Sequence, residues 1–358
     1  MNTPACNPAL LNPFLPAVAR IGAELTSTDA HLLAADFLAL NIRDLFGEGE
    51  SDAPQPKQSA IEPPSQQPVT TSVLLNTWNH AAYIEDCIDS LLVQTVLPDE
   101  IIVYDDGSDD DTAARLRAYG TRIKLIEGKA LSLPAYLRQA NAVQTAFTQS
   151  KGQLVFLLDG DDRFKRDKIE RYVAAFAKDR EASLIQAPMD KIDTHGRILG
   201  SNVEPRKHVR EHLEEIYRQQ DVDFYYPTSS LAFSRSYLES VLPLDFSDGC
   251  ALWIDTRLSI IAPYYGRVIT LPQPMTDWRR RPDSDSIRTR SRNLQIQQTL
   301  MRTQVFNCFC RRYGLRTISA WRNTRFYKQL LRFSLPELAY QFYYNHVRPR
   351  GPRSLQTH

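Results

Sequence analysis

The 358-residue chain is poor in the features that mark several protein classes. Gly is only 14, the five Cys are an odd and scattered set, and no run of roughly 18 uncharged apolar residues occurs. With 42% hydrophobic residues, the composition excludes collagen-like, fully disordered and disulfide-scaffold proteins. The N-terminus also lacks a basic segment followed by an apolar one, so no signal peptide is predicted. We expect a cytosolic protein with one large or two modest domains.

Acidic residues are scarce in one part of the chain, although the net charge is only +1. From Arg279 to His358 there are 17 Lys and Arg but three Asp and Glu, and aromatic residues are interspersed. This composition leaves two interpretations open. In the first, the aromatic side chains pack on the preceding part of the chain, which carries most of the acidic residues. In the second, residues 286–358 form basic helices that contact an anionic membrane surface, at the inner face of the membrane. We do not expect nucleic acid as a partner.

The pattern along the chain divides it into four parts. Residues 1–48 are predicted to form a helical extension, residues 49–68 a linker poor in apolar residues, residues 69–285 the main domain, and residues 286–358 the basic, aromatic-rich helical region. In that domain, short apolar runs alternate with segments of helical periodicity. The runs lie at residues 73–75, 101–104, 123–126 and 154–158. This alternation predicts an α/β fold with a mostly parallel sheet and helices on both faces.

Polar clusters follow three of the predicted strands, at residues 76–80, 105–108 and 159–162. Ligands of parallel sheets bind beyond the carboxyl ends of the strands, where these clusters should meet. Asp159, Asp161 and Asp162 place three carboxylates together, which favours a Mg²⁺ or Mn²⁺ ion that bridges a diphosphate. The alternative is an acidic turn that only precedes the next helix.

Taken in order, segments 72–95, 99–112 and 151–162 resemble the family 2 glycosyltransferases. The resemblance covers about residues 70–285. It implies the GT-A nucleotide-diphospho-sugar transferase fold, an inverting reaction and a divalent metal.

The resemblance also implies roles for individual residues. Asp162 and Asp161 match the metal-binding acidic pair, and Asp159 supports them. The residues matched to nucleotide binding are Thr77, Asn79, Asp106 and Asp161.

The expected general base lies further along the chain. Asp255 precedes Gly266 by eleven residues, as the corresponding acidic residue does in the family, so we predict that Asp255 is the base. Asp248 is the second candidate, and Asp255 could instead only cap a helix. Arg279 matches an arginine of the family, and Arg281 stands where the family has His; both are expected to support the site.

We therefore expect an enzyme that moves a sugar from a nucleotide sugar, with a UDP-sugar as the expected donor, to a hydroxyl of a glycan or lipid-linked glycan. Synthesis of surface polysaccharide or glycoconjugate is the expected context. One alternative is a nucleotidyltransferase of related fold, but such enzymes carry a Gly-rich phosphate loop, and residues 76–80 contain no Gly. The other alternative is a non-catalytic glycan- or nucleic-acid-binding protein.

Overall fold

The computed structural model describes residues 68–129, 131–246, 250–282 and 292–326, with only the backbone at residues 206 and 292–297. The predicted N-terminal extension, nearly all of the linker, Asp248 and the last 32 residues lie outside this part of the chain.

The described strands and helices alternate as the sequence predicts. The strands are β1 (Thr71–Thr77), β2 (Glu100–Asp105), β3 (Lys124–Glu127), β4 (Leu154–Asp159), β5 (Arg163–Phe164), β6 (Ala182–Gln186), β7 (Met189–Ile192), β8 (Ile198–Ser201), β9 (Ala232–Ser234), β10 (Arg267–Thr270) and β11 (Thr276–Arg279). The α-helices are α1 (Ile84–Leu92), α2 (Thr112–Arg117), α3 (Ala135–Thr148), α4 (Lys168–Lys178), α5 (His212–Gln219), α6 (Arg235–Val241), α7 (Ile254–Ile261) and α8 (Arg292–Arg312).

Seven strands form the main sheet in the order β10-β6-β9-β4-β1-β2-β3. The short strand β9 runs antiparallel to β4 and β6, and the other neighbouring pairs are parallel. The predicted α/β class with a mostly parallel sheet is therefore confirmed. Since β1, β2 and β4 are parallel neighbours, their carboxyl ends meet at one edge, as the polar clusters require.

Side chains alternate between two cores, one on each face of the sheet. Val73 and Leu75 of β1 belong to the core that includes helices α1 and α4. Leu74, between them, belongs to the opposite core with α3, α7 and α8. Burial on both faces explains why the central strands are continuous apolar runs rather than alternating ones.

A smaller four-stranded sheet, in the order β5-β11-β7-β8, adjoins the acidic loop. Strand β5 begins directly after Asp162, and β11 pairs with β5 and β7. This arrangement brings Arg279, the last residue of β11, to the acidic loop, where its backbone N–H donates to Asp162 Oδ1 over 2.8 Å.

Gly266 allows β10 to start close to β6. A Cβ atom at this position would lie 2.1 Å from the carbonyl oxygen of Glu181, far inside van der Waals contact. The glycine that helped to identify Asp255 in the sequence is therefore required by a close backbone approach.

The basic C-terminal region is in part a component of the folded body. Phe306 and Cys310 of α8 are fully buried in the core that contains α7. Arg312 pairs with Asp245, and Arg302 with Asp223. Packing of the aromatic side chains is thus confirmed for the described part of this region. None of the described helices is both long and apolar enough to span a bilayer. Contact with an anionic membrane surface stays a prediction.

Because α8 packs as core, we expect Leu300→Ala, at a position that is 3% exposed, to lower the free energy of unfolding by about 2–5 kcal/mol. The matched control is Leu199→Ala, at a position that is 62% exposed, which should change it by less than about 0.5 kcal/mol. Urea denaturation followed by circular dichroism measures both. Equal effects would show that α8 contributes no buried core.

Candidate active site

A cleft of about 810 Å³ opens at the carboxyl ends of β1, β2 and β4. Its walls include every predicted site residue that the structure describes. These are Thr77, Asn79, Asp106, Asp159, Asp161, Asp162, Asp255, Arg279 and Arg281. Only Asp248, the second candidate for the base, lies outside the described residues.

The acidic loop after β4 packs tightly against the end of β1. A Cβ atom at Gly160 would lie 2.5 Å from Thr77 Oγ1, so the residue between Asp159 and Asp161 has to be glycine for this approach. Asn76 donates a hydrogen bond of 3.1 Å to Asp159 Oδ1. The two strand ends thus hold the carboxylates in one place.

Burial and like charges raise the pKa values of Asp159 and Asp162 in this loop. Burial, followed by the charges of Asp161 and Asp255, raises the pKa of Asp159 to about 7. Burial and the charges of Asp161 and Asp159 raise the pKa of Asp162 well above its ordinary value. Arg281 offsets part of this charge, because its Nε donates to Asp161 Oδ2 over 2.8 Å. The loop favours a further cation.

A divalent cation fits this donor set. Among the described residues, no three His, Cys, Asp or Glu side chains are grouped so that they could hold a metal alone. Magnesium-type sites commonly use one or two carboxylates and complete their coordination with substrate phosphates and water. Asp161 and Asp162, whose mutual repulsion a cation would relieve, are suited to such a shared site.

Arg279 holds the acidic loop in place. Its side chain is almost fully buried, and its guanidinium donates to the carbonyl oxygens of Asp161 and of residues 193–194. It also pairs with Asp86 over 2.7 Å. These contacts join the acidic loop to α1 and the smaller sheet, so we interpret Arg279 as a positioning residue.

At the β2 end of the cleft, Asp106 and Arg138 form an ion pair of 3.3 Å. The Arg138 guanidinium also lies over the ring of Trp78, 4.5 Å from its centre. Asp106 Oδ1 is buried and has no hydrogen-bond partner among the residues that the structure describes. Arg138 comes from α3, and the fold brings it to the cleft.

Thr77 and Asn79 shape the loop after β1. Thr77 Oγ1 lies 3.1 Å from His80 Nδ1. Asn79 adopts a left-handed backbone with φ of 54°, and its side chain exchanges two hydrogen bonds with Asp109. The side chain of Asn79 therefore anchors this loop to the loop after β2.

Asp255 lies in the first turn of α7 and is 9% exposed. Thr228 Oγ1 donates to Asp255 Oδ2 over 3.0 Å, and the Thr256 N–H donates to Oδ1 over 2.6 Å. Burial raises the pKa of Asp255, while these two hydrogen bonds and the charge of Arg302 oppose that effect. Trp253 occupies the N-cap position, so Asp255 is not the cap of this helix.

The cleft also contains residues that sequence reasoning missed. Lys207 and Tyr226 come from the stretch between β8 and β9, and Gln298 and Arg302 come from α8. None of these residues belongs to a motif, since they approach the site only through tertiary packing.

Comparison with known proteins is consistent with this geometry. Residues 72–242 match the model of the family described as Glycosyl transferase family 2. An uncharacterized glycosyltransferase of Nostoc sp. is 28% identical over 213 residues, which cover 58% of this chain and 64% of the relative. Chondroitin synthase of Escherichia coli is 28% identical over 145 residues, 40% of this chain and 20% of the synthase. The chain thus aligns with less than two thirds of either relative.

Among solved structures, the mannosyltransferase PcManGT of Pyrobaculum calidifontis in complex with GDP-Man and Mn²⁺ is similar, with a TM-score of 0.49 and 19% identity. The alignment covers 91% of this chain and 89% of that one.

The raised pKa of Asp159 makes stability depend on pH. Between the ordinary pKa of about 4 and the folded value of about 7, the folded metal-free protein binds more protons than the unfolded chain, so it loses stability as pH rises. In EDTA at pH 8, we expect Asp159→Asn to raise Tm by roughly 2–5 °C, and at pH 4.5 the gain should vanish.

Scanning fluorimetry at the two pH values measures this difference. The control is Asp111→Asn, which removes an exposed carboxylate and should give the same small change at both pH values. A gain for Asp159→Asn that does not depend on pH would contradict the electrostatic explanation.

Proposed function

We propose that this chain, which contains a glycosyltransferase family 2 domain at residues 72–242, transfers a sugar from a nucleotide-diphosphate sugar to a hydroxyl of a glycan or glycoconjugate. The observation that carries the proposal is one cleft in which the acidic loop 159–162 and the buried carboxylate of Asp255 occur together. The acidic loop is suited to bind a diphosphate with its cation, and the Asp255 carboxylate is suited to act as a general base. The likeness to a chondroitin synthase supports a polysaccharide-type acceptor.

The base-binding end of the donor site is assigned to Asp106, Arg138 and Trp78. Asp106 Oδ1 is a buried acceptor that needs a donor, and Arg138 beside it supplies N–H groups. A nucleobase that presents a ring N–H beside a carbonyl satisfies both. Uracil, thymine and guanine have this edge, whereas adenine and cytosine have no ring N–H there, so the edge is compatible with the expected UDP-sugar and disfavours adenosine and cytidine donors.

Asp161 and Asp162 would hold Mn²⁺ or Mg²⁺ at the acidic loop. When bound, such a cation neutralises charge on the leaving nucleoside diphosphate. Arg281 lines the same part of the cleft and pairs with Asp161, so its guanidinium is placed to stabilise the same negative charge.

Asp255 would act as the general base of an inverting transfer. The acceptor hydroxyl loses its proton to the Asp255 carboxylate and attacks the anomeric carbon, while the bond from that carbon to the diphosphate oxygen breaks. Thr228 and Thr256 hold the carboxylate oxygens in a fixed orientation. No covalent enzyme intermediate is needed.

The two alternatives fit the cleft less well. A nucleotidyltransferase needs a Gly-rich loop for the attacking phosphate, whereas the loop at residues 76–80 is held by side-chain contacts and has no Gly. A purely binding protein has no use for a buried carboxylate such as Asp255 that faces a cleft.

If Asp255 is the base, Asp255→Asn should lower kcat by about 10²- to 10⁴-fold with little change in nucleotide affinity, because the amide cannot accept the proton. Nucleotide release from UDP-sugars measures kcat, and calorimetry with UDP and Mn²⁺ measures affinity. Asp245→Asn, which removes an exposed carboxylate paired with Arg312, is the control and should keep full turnover. Full turnover by Asp255→Asn would refute this assignment.

If the acidic loop holds the cation, Asp162→Asn should raise the Kd for UDP in Mn²⁺ by about 10- to 100-fold. In EDTA, the variant and the wild type should bind UDP equally weakly. Calorimetry under the two conditions separates the metal-dependent part of binding. Should wild-type affinity be the same with and without Mn²⁺, the metal assignment would be wrong, whatever the variant does.

A further inference from the structure

Five buried side-chain oxygens that line the cleft have no hydrogen-bond partner within the described part of the chain. They are Asn76 Oδ1, Asp106 Oδ1, Gln139 Oε1, Tyr225 OH and Ser259 Oγ. Buried polar atoms in folded proteins are nearly always bonded, because burial removes them from water. Such a group of atoms along one cleft indicates that a ligand completes their hydrogen bonds.

These atoms fall into two sets. Asn76, Asp106 and Gln139 accompany the acidic loop and the base-binding end, where the proposed donor accounts for them. Tyr225 and Ser259 do not belong to that end. Ser259 is near Asp255 in sequence, and Tyr225 is near Thr228, a residue that contacts Asp255.

Ser259 follows Asp255 by four residues on α7, so the two side chains lie on the same face of the helix, one turn apart. Tyr225 lies three residues before Thr228, which donates to the Asp255 carboxylate. The Tyr225 ring is held by a stacking contact with His212, with ring centres 5.8 Å apart and planes inclined by 19°. Burial lowers the pKa of His212 to about 4, so this stacking partner is uncharged at neutral pH.

Two further side chains, Trp253 and Arg302, line this end of the cleft. Trp253, directly before α7, is half-buried and lines the cleft with an aromatic surface. Arg302 of α8 lines it as well and pairs with Asp223 over 3.4 Å. An aromatic surface beside fixed hydroxyl groups and a guanidinium suits a ring that has an apolar face and several hydroxyls.

We propose that Ser259 and Tyr225 are acceptor-binding residues and that the acceptor ends in a sugar ring, whose hydroxyls bond to these two side chains while another hydroxyl faces Asp255. The inference rests on the proposed function, because it assumes that Asp255 marks the acceptor end. An acceptor with one hydroxyl on an apolar body would leave Ser259 Oγ and Tyr225 OH unbonded, so the site discriminates against it.

The test uses the full-length protein with Mn²⁺ and whichever of UDP-glucose, UDP-N-acetylglucosamine or GDP-mannose it hydrolyses. Methyl pyranosides are the saccharide probes, and cyclohexylmethanol is the matched alcohol without ring hydroxyls. We expect at least one pyranoside to accelerate nucleotide release and to give a disaccharide product detected by mass spectrometry. Cyclohexylmethanol should do neither.

Ser259→Ala and Tyr225→Phe each remove one oxygen with little change of shape. For the accepted pyranoside, we expect each variant to raise KM by about 5- to 30-fold. Calorimetry on the same variants measures the Kd for nucleotide in the presence of Mn²⁺. The fold-change in this Kd should be at least five times smaller than the fold-change in KM. A general loss of folding would raise both quantities together. The control is Ser240→Ala, the same substitution on the exposed surface of α6, which should change neither.

Three results would count against the inference. If KM for the pyranoside changes less than twofold in both variants, Ser259 and Tyr225 do not bind the acceptor. If water or cyclohexylmethanol accepts the sugar as well as every pyranoside does, the acceptor class is wrong while sugar release from the donor still stands. If no nucleotide is released from any donor, the proposed function fails, and this inference fails with it.

Discussion

Repulsion among the carboxylates at the end of β4 is the constraint on which the site depends. Asp159, Asp161 and Asp162 lie within four residues, and burial makes their charges costly. The chain reduces this cost with Arg281 and with hydrogen bonds from Asn76 and from the Arg279 backbone. The remaining charge makes the cleft attractive to a cation and its diphosphate. On the proposed function, binding of the donor and stability of the loop are therefore coupled.

The smaller sheet helps to hold the acidic loop in place. Strand β11 carries Arg279 to the acidic loop, and Asp277 on the same strand pairs with Arg163 and Lys165, which follow the loop in sequence. Asp86 on α1 contacts both Arg163 and Arg279. These ion pairs are individually weak where they are exposed, but together they join three elements around the loop. The geometry of the carboxylates is thus fixed by residues far from them in sequence.

Local pattern was enough to predict the main sheet and the polar residues that gather at the carboxyl ends of β1, β2 and β4. Buried strands such as residues 154–158 are continuous apolar runs, and the polar clusters that follow them carry the recognisable motifs. Asp255 was found through its spacing from Gly266, which a close backbone approach explains. Ser259 and Tyr225 could not be found in this way, because their proposed role depends on hydrogen bonds left open by tertiary packing, and Arg302 reaches the cleft only through the packing of α8. Arg279 was expected to support the site, and its contacts show that its guanidinium is used within the protein.

Helix α8 lies beyond the residues that match the family model, yet Gln298 and Arg302 form part of the cleft wall. The proposed donor-binding edge is built from β1, β2 and β4, whereas this wall comes from a separate stretch of sequence. On the proposed function, exchanging only the cleft-facing residues of α8 would keep the proposed nucleotide-binding residues and change the surface beside the acceptor. The buried side of α8, with Phe306 and Cys310, would have to be kept in such an exchange, because it belongs to the same core as α7.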